Sequence, residues 1–161
     1  MADIKNYDSG ETLTGSADAD SIYNNAQNVL INSGDGNDTI NSYGENVTIN
    51  AGNGNNQICT RGIKQLINSG AGVDSIYTNN NYSTINSGGG NDSIRNYGQS
   101  SKISSGVDND LIENHRREST INSGDGEDSI TNSGYIVAVD GGNGNDYIVN
   151  TGDKVTLSGG S

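Results

Sequence analysis

Residues 31–41 read Ile31-Asn32-Ser33-Gly34-Asp35-Gly36-Asn37-Asp38-Thr39-Ile40-Asn41, and the chain writes this stretch again every eighteen residues. The position of Ile31 returns as Ile49, Ile67, Ile85, Ile103, Ile121 and Val139, with Leu13 before it and Leu157 after it. A second apolar column, half a period away, runs Ile22, Ile40, Ile58, Ile76, Ile94, Ile112, Ile130 and Ile148. No insertion breaks either column, and a fixed period of this length means a stacked-repeat architecture. Each repeat holds two short strand candidates, of the type Thr48-Ile49-Asn50 and Asp92-Ser93-Ile94, in which alternation turns the aliphatic inward and its neighbours outward. Two strands and two turns make one flattened coil. About eight coils stacked ~4.8 Å apart give a rod on the order of 40 Å long. No 3.6-residue apolar period occurs, and Gly or Asn interrupts every window, so helix is disfavoured throughout.

Composition agrees with a solenoid and with little else. Of the 161 residues only 29% are apolar, 24 are Gly, and the net charge is −12, which in bulk reads as disorder. Stacking changes that reading, because identical coils bury the few aliphatic residues in two continuous rows. The chain has no Pro, which suits strands whose every amide donates to the next coil. Its one cysteine, Cys59, forms no internal disulfide, and no Cys/His cluster suggests zinc. The opening Met1-Ala2-Asp3-Ile4-Lys5-Asn6 has no hydrophobic leader core, and no segment reaches membrane-spanning length. Residues 1–11 read as an N-terminal cap outside the period and residues 12–161 as a single repeat domain. That domain ends at Ser161 partway through a coil, as a fragment of a longer protein would.

Between the columns lies a small acidic loop, (Ser/Ala/Gly)-Gly-x-Gly-x-Asp, as in Ser33-Gly34-Asp35-Gly36-Asn37-Asp38 and Gly141-Gly142-Asn143-Gly144-Asn145-Asp146. Alternate glycines allow positive φ and turn backbone carbonyls toward one point. The Asp closing the loop adds a charged oxygen. Hard oxygen donors without His or Cys favour Ca²⁺, which takes six to eight of them. One loop supplies too few, so an ion is expected between loops of successive coils, several such ions lying along one edge. Charge placement supports this. Twelve of the 20 acidic residues fall in the loop windows: Asp18, Asp20, Asp35, Asp38, Asp74, Asp92, Asp108, Asp110, Asp125, Glu127, Asp128 and Asp146. The eight Lys and Arg residues avoid those windows, and Arg61, Lys64, Arg116, Arg117 and Lys154 fall on the opposite turn.

The loop and the Ile that follows it match the nonapeptide Gly-Gly-x-Gly-x-Asp-x-aliphatic-x, and on that motif residues 12–161 resemble the RTX (repeats-in-toxin) calcium-binding β-roll. The resemblance implies a right-handed parallel solenoid from a secreted or cell-surface bacterial protein, folding when it binds calcium. Carried over position by position, the expected metal site residues are Asp20; Gly34, Gly36 and Asp38; Gly52, Gly54 and Asn56; Gly70, Gly72 and Asp74; Gly88, Gly90 and Asp92; Gly106, Asp108 and Asp110; Gly124, Gly126 and Asp128; and Gly142, Gly144 and Asp146. Asn56 keeps an oxygen but loses the charge, so weaker binding is expected beside it. Val73 stands where most loops have Asn, and Asp108 where they have the second Gly. The family's usual β-roll carries calcium on both edges. Here the alternate turns, such as Ser42-Tyr43-Gly44-Glu45-Asn46-Val47, lack the Asp, so one metal-bearing edge is expected. The other edge reads as a metal-free turn closed by Gly44, Gly62, Asn80, Gly98, Gly134 and Gly152.

A second class of function rests on the outer face. Thr48, Thr84 and Thr120 alternate with Leu30, Leu66 and Lys102 on one side of the Ile31 column, and Asn50, Asn86 and Asn122 belong to a file on the other. Ice-binding solenoids display such Thr/Asn ladders, and tyrosines can stack on glycans, so an ice- or glycan-binding module is the alternative. Asn ladders that merely bond coil to coil are the simpler account. His115 stands alone among Asn114, Arg116, Arg117 and Glu118 without catalytic partners, and neither HExxH nor GxSxG occurs, so no enzymatic role is expected. An isolated arginine pair on an acidic rod is no nucleic-acid footprint. End-to-end self-association through the uncapped C-terminal coil is the one chain-to-chain contact the sequence suggests.

Overall fold

The computed structural model describes all residues 1–161 and contains eighteen strands and no helix. They run from β1 (Asp3–Asn6) and β2 (Thr12–Thr14) to β17 (Tyr147–Asn150) and β18 (Thr156–Ser158). Odd-numbered strands form one nine-stranded sheet and even-numbered strands another. Within each sheet neighbours pair in parallel in the eighteen-residue register, Ile22 opposite Ile40 and Ile31 opposite Ile49. The protein is a β-solenoid of about nine coils. Of 93 backbone hydrogen bonds 43 lie outside the strands, so the turns stack as regularly as the sheets do.

The N-terminal segment differs from the sequence reading. Strand β1 pairs with β3 (Ser21–Asn24), placing Ile4 opposite Ile22 and Asn6 opposite Asn24. Residues 3–6 are therefore the first half-coil rather than a cap outside the period. The loop motif that marks the other coils is absent before residue 12, which hid the register; the Ile and the Asn two residues later were its only trace.

Both apolar columns close into one core of 20 buried residues, with the Ile side chains of most coils fully enclosed. Apolar residues fill only part of the interior. Three polar columns, and a fourth position shared between valines and Gln65, Ser83, Ser101 and Ser119, complete it: the three are Ser33, Ser69, Ser87, Ser105 and Ser123; Asp38 and its repeats; and Asn24, Ser42, Thr60, Thr78, Asn96, Asn114 and Asn132. A buried polar group is costly unless hydrogen-bonded, and register supplies the partners. Asn96 donates to Asn114, and Asn114 to Asn132, each at 2.7 Å. The same amides close the turn beyond them, donating to the Gly98 and Gly134 carbonyls.

In that turn the backbones of successive coils pack closely at glycine. A Cβ on Gly62 would overlap the Gly44 carbonyl oxygen of the coil before it, although Gly62 has ordinary φ. Left-handed backbone falls two residues later, at Asn46, Lys64, Tyr82, Ser100, Glu118, Ile136 and Lys154, none of them glycine. No helix is long and apolar enough to cross a membrane.

Candidate metal centre

On the loop edge, four of the even strands extend into the glycine-rich segment. β8 (Leu66–Ala71), β10 (Thr84–Gly89), β12 (Lys102–Val107) and β14 (Thr120–Asp125) keep pairing there, Gly88 opposite Gly70 on one side and Gly106 on the other. Gly88 has φ 108°, and a Cβ would overlap the Gly70 carbonyl oxygen. Both constraints exclude any other residue. The glycine pattern thus brings loop upon loop at strand spacing, with carbonyls stacked.

Each loop ends on its Asp, whose side chain points inward. Asp38, Asp74, Asp92, Asp110 and Asp128 are all buried, 1–3% exposed, against the expectation for an ionisable side chain in a surface loop. One oxygen of each is committed. Oδ1 of Asp92 accepts the Asp74 amide, and Oδ1 of Asp110 accepts the Asp92 amide, each at 2.8 Å. The same bond runs from Asp20 to Asp38, from Asp110 to Asp128 and from Asp128 to Asp146. The loop's outer side is tied in the opposite direction, with Asn37 and Asn55 oxygens accepting the amides of Asn55 and Val73 in the next coil.

The second carboxylate oxygen has no partner. Oδ2 of Asp38, Asp74, Asp92, Asp110, Asp128 and Asp146 is buried without a hydrogen bond in the protein. Leaving a charged oxygen so is strongly unfavourable. Burial pushes the Asp92 carboxyl up to about 6, the Asp74 amide and the nearby Ser87 hydroxyl pulling the other way and the Asp74 and Asp108 charges adding to the rise. Burial likewise pushes Asp110 up to about 6, and raises Asp74. These six oxygens want a cation or a proton. His, Cys, Asp and Glu side chains nowhere gather in groups of three that could hold a metal, the acids standing in single file one coil apart.

Two candidate positions behave differently. Asp20 has both oxygens occupied: Oδ1 accepts from the Ala2 amide, while the Ser16 amide and hydroxyl bond its carboxylate. The Ala2 amide bond holds its carboxyl below the usual value, with the Ser16 bonds acting alongside it against burial. Asn56 occupies the same column, 2% exposed, and is fully bonded. Asp108 tolerates φ 76° in place of glycine, and its own carboxylate accepts the Gly90 amide at 3.0 Å, so it faces out of the column.

The opposite edge has no acidic column inside. It holds Val29, Val47 and Val137 at some coils and Gln65, Ser83, Ser101 and Ser119 at others. Sequence reasoning singled out the Asp column but missed the Ser33 column beside it, whose hydroxyls donate to the next coil's carbonyl, Ser87 to Ser105 at 2.9 Å. The signal was there in the Ser that stands before the first Gly at 33, 69, 87, 105 and 123.

On the outer Thr/Asn face, Asn50 donates to Asn32, Asn68 to Asn50 and Asn86 to Asn68, at 2.8–2.9 Å. The file breaks at Ser104, and Asn122 takes no part in it. Thr48, Thr84 and Thr120 line the other side of the same strands at half-buried or exposed positions. The tyrosines pair in space between a strand position and a turn position, Tyr23 with Tyr43 at 5.5 Å and Tyr77 with Tyr97 at 5.4 Å. His115 stacks on Tyr97 at 4.4 Å, with its Nδ1 3.2 Å from the Ser133 hydroxyl. Cys59 is a half-buried free thiol. No family model, no curated protein and no solved structure matches the chain.

Proposed function

We propose that the chain is a calcium-binding β-solenoid module, structural rather than catalytic, whose loop edge is completed by cations. The observation that carries this reading is the file of six buried Asp oxygens without partners, one per coil, beside stacked loop carbonyls. The donor set is all oxygen, which fits Ca²⁺ and not a thiolate- or imidazole-seeking metal. Asp38, Asp74, Asp92, Asp110, Asp128 and Asp146 would hold the ions, with carbonyls of their own and adjoining loops. Bound calcium would neutralise the carboxylates and tie coil to coil. The chain's own part is to fix one oxygen of each Asp on a neighbouring amide, so that the other is held in place.

Folding and binding are then coupled, since the site exists only when coils stack. Such a module suits a secreted or cell-surface protein, where calcium is millimolar, and the family resemblance carries the same implication. The bonded Asn file on the outer face speaks for coil-to-coil ties there rather than a free ligand surface. Circular dichroism during a calcium titration, with magnesium as control, tests the proposal. Cooperative gain of β signal with calcium alone is expected; full β signal in chelator, unmoved by calcium, would overturn it.

A further inference from the structure

Among the inward loop-end side chains of complete loops, one is not a carboxylate. Asn56 accepts the Asp38 amide through Oδ1 at 3.0 Å, as each Asp does. Where an Asp presents its orphaned Oδ2, Asn56 presents an NH₂ group. That group donates to the Gly54 carbonyl at 3.0 Å and to the Ser69 carbonyl of the next coil at 3.4 Å. The amide therefore maps the oxygens that converge on this position: two backbone carbonyls, one from its own loop and one from the next. In the Asp coils a third oxygen replaces the donor, and the one donor beside it is the loop's Ser hydroxyl, which serves the next coil's carbonyl.

A neighbouring substitution fits the same account. Ser33, Ser69, Ser87, Ser105 and Ser123 each donate a hydroxyl to the next coil's carbonyl. In the Asn56 coil that position is Ala51, which has no hydroxyl to give. The carbonyl it leaves unserved is that of Ser69, the one Asn56 reaches. Ala51 and Asn56 depart from the repeat together, the donor having moved from one side chain to the other.

We infer that Asn56, with Ala51, is an ion-free joint: its amide does within this coil what a cation does at the Asp positions. The inference rests on the calcium reading above and deepens it, assigning one coil that takes no ion. It also gives the rod one joint, from the Asn56 loop to the Asp74 loop, that holds together without calcium and on which further coils can stack when calcium arrives.

The test compares wild type with A51S/N56D, which restores the repeat, and with S87A/D92N, which copies the exception into another coil. Bound calcium per chain is counted by titration calorimetry, and urea midpoints are measured in EDTA. The restored variant is expected to bind one calcium more than wild type and to unfold at lower urea in EDTA. The copied variant is expected to bind one fewer and to unfold at higher urea. An unchanged calcium count in A51S/N56D, or EDTA midpoints that do not move in opposite directions, overturns the inference. If no chain binds calcium yet the two midpoints move as stated, the calcium reading falls while the amide's role as donor stands.

Discussion

Replacing Asp92 with Asn should stabilise the protein in chelator at neutral pH and destabilise it in calcium. The Asp92 carboxyl is pushed from 3.8 to about 6, chiefly by burial, so at pH 7.5 it is held ionised against that cost. A difference of about two units corresponds to ~3 kcal/mol. Relaxation around the site makes about 1–3 kcal/mol the range expected for the substitution. Asn keeps the oxygen that accepts the Asp74 amide and, by the pattern of Asn56, turns two donors toward the loop carbonyls. The sign with pH follows from proton counting. The folded value lies above the unfolded one, so between about pH 4 and 6 the folded chain binds more protons. Stability of the calcium-free wild type therefore falls as pH rises through that window. The advantage of D92N should be full at pH 7.5 and largely gone at pH 4, where the wild-type carboxyl is neutral. Urea unfolding in EDTA at the two pH values, followed by circular dichroism, measures it. A D92N chain less stable than wild type in EDTA at pH 7.5, or one whose gain is equal at both pH values, would refute the reasoning.

Other substitutions probe the remaining turns. Ile136 sits at φ 54°, a left-handed conformation that a β-branched residue adopts at a cost. Ile136→Gly should raise stability by about 1 kcal/mol in thermal melts. Ser119 buries a hydroxyl without a partner in the column where Val47 and Val137 stand; Ser119→Val should add ~1 kcal/mol by the same melts. Gly88→Ala places a Cβ on the Gly70 carbonyl at a positive φ; a loss of about 3 kcal/mol is expected, read as a fall in the urea midpoint that calcium does not restore.

The period made the fold legible because each coil says the same thing: Ile at one position and Ile half a period later leave no other arrangement that buries both. The loop edge was legible for a related reason, since Gly70, Gly88 and Gly106 can be nothing else where carbonyls stack so closely. What stayed hidden was the pair of polar columns of Ser33 and Asn24. Ser87 and Asn96 look like solvent-facing residues one at a time, and only the stacking shows that they bond to Ser105 and Asn114 rather than to water. The left-handed turn positions were hidden for another reason. Tyr82, Glu118 and Ile136 share no chemistry, so their common backbone conformation is imposed by the turn against their preferences and leaves no mark in the sequence.

The direction of the Asp bonds explains why the file needs positive charge at all. Each Asp serves the amide of the coil before it, so every carboxylate is pinned to its neighbour and none can swing out to water without exposing a buried N–H. Pinned carboxylates repeat at about 4.8 Å, and two such charges repel by roughly 3 kcal/mol at an effective dielectric of 20. Repulsion accumulates along the run from Asp74 through Asp92, Asp110 and Asp128 to Asp146, where no uncharged side chain intervenes. It is interrupted once, at Asn56, between Asp38 and Asp74. Asp20 escapes by taking its donors from Ser16 and the N-terminal strand. A chelated chain should therefore fray first in the uninterrupted stretch, from the residue 146 end toward residue 74, and last around Asn56. Hydrogen exchange in EDTA reads that order directly, and uniform protection along the column would mean that the carboxylates are protonated or otherwise neutral without any ion.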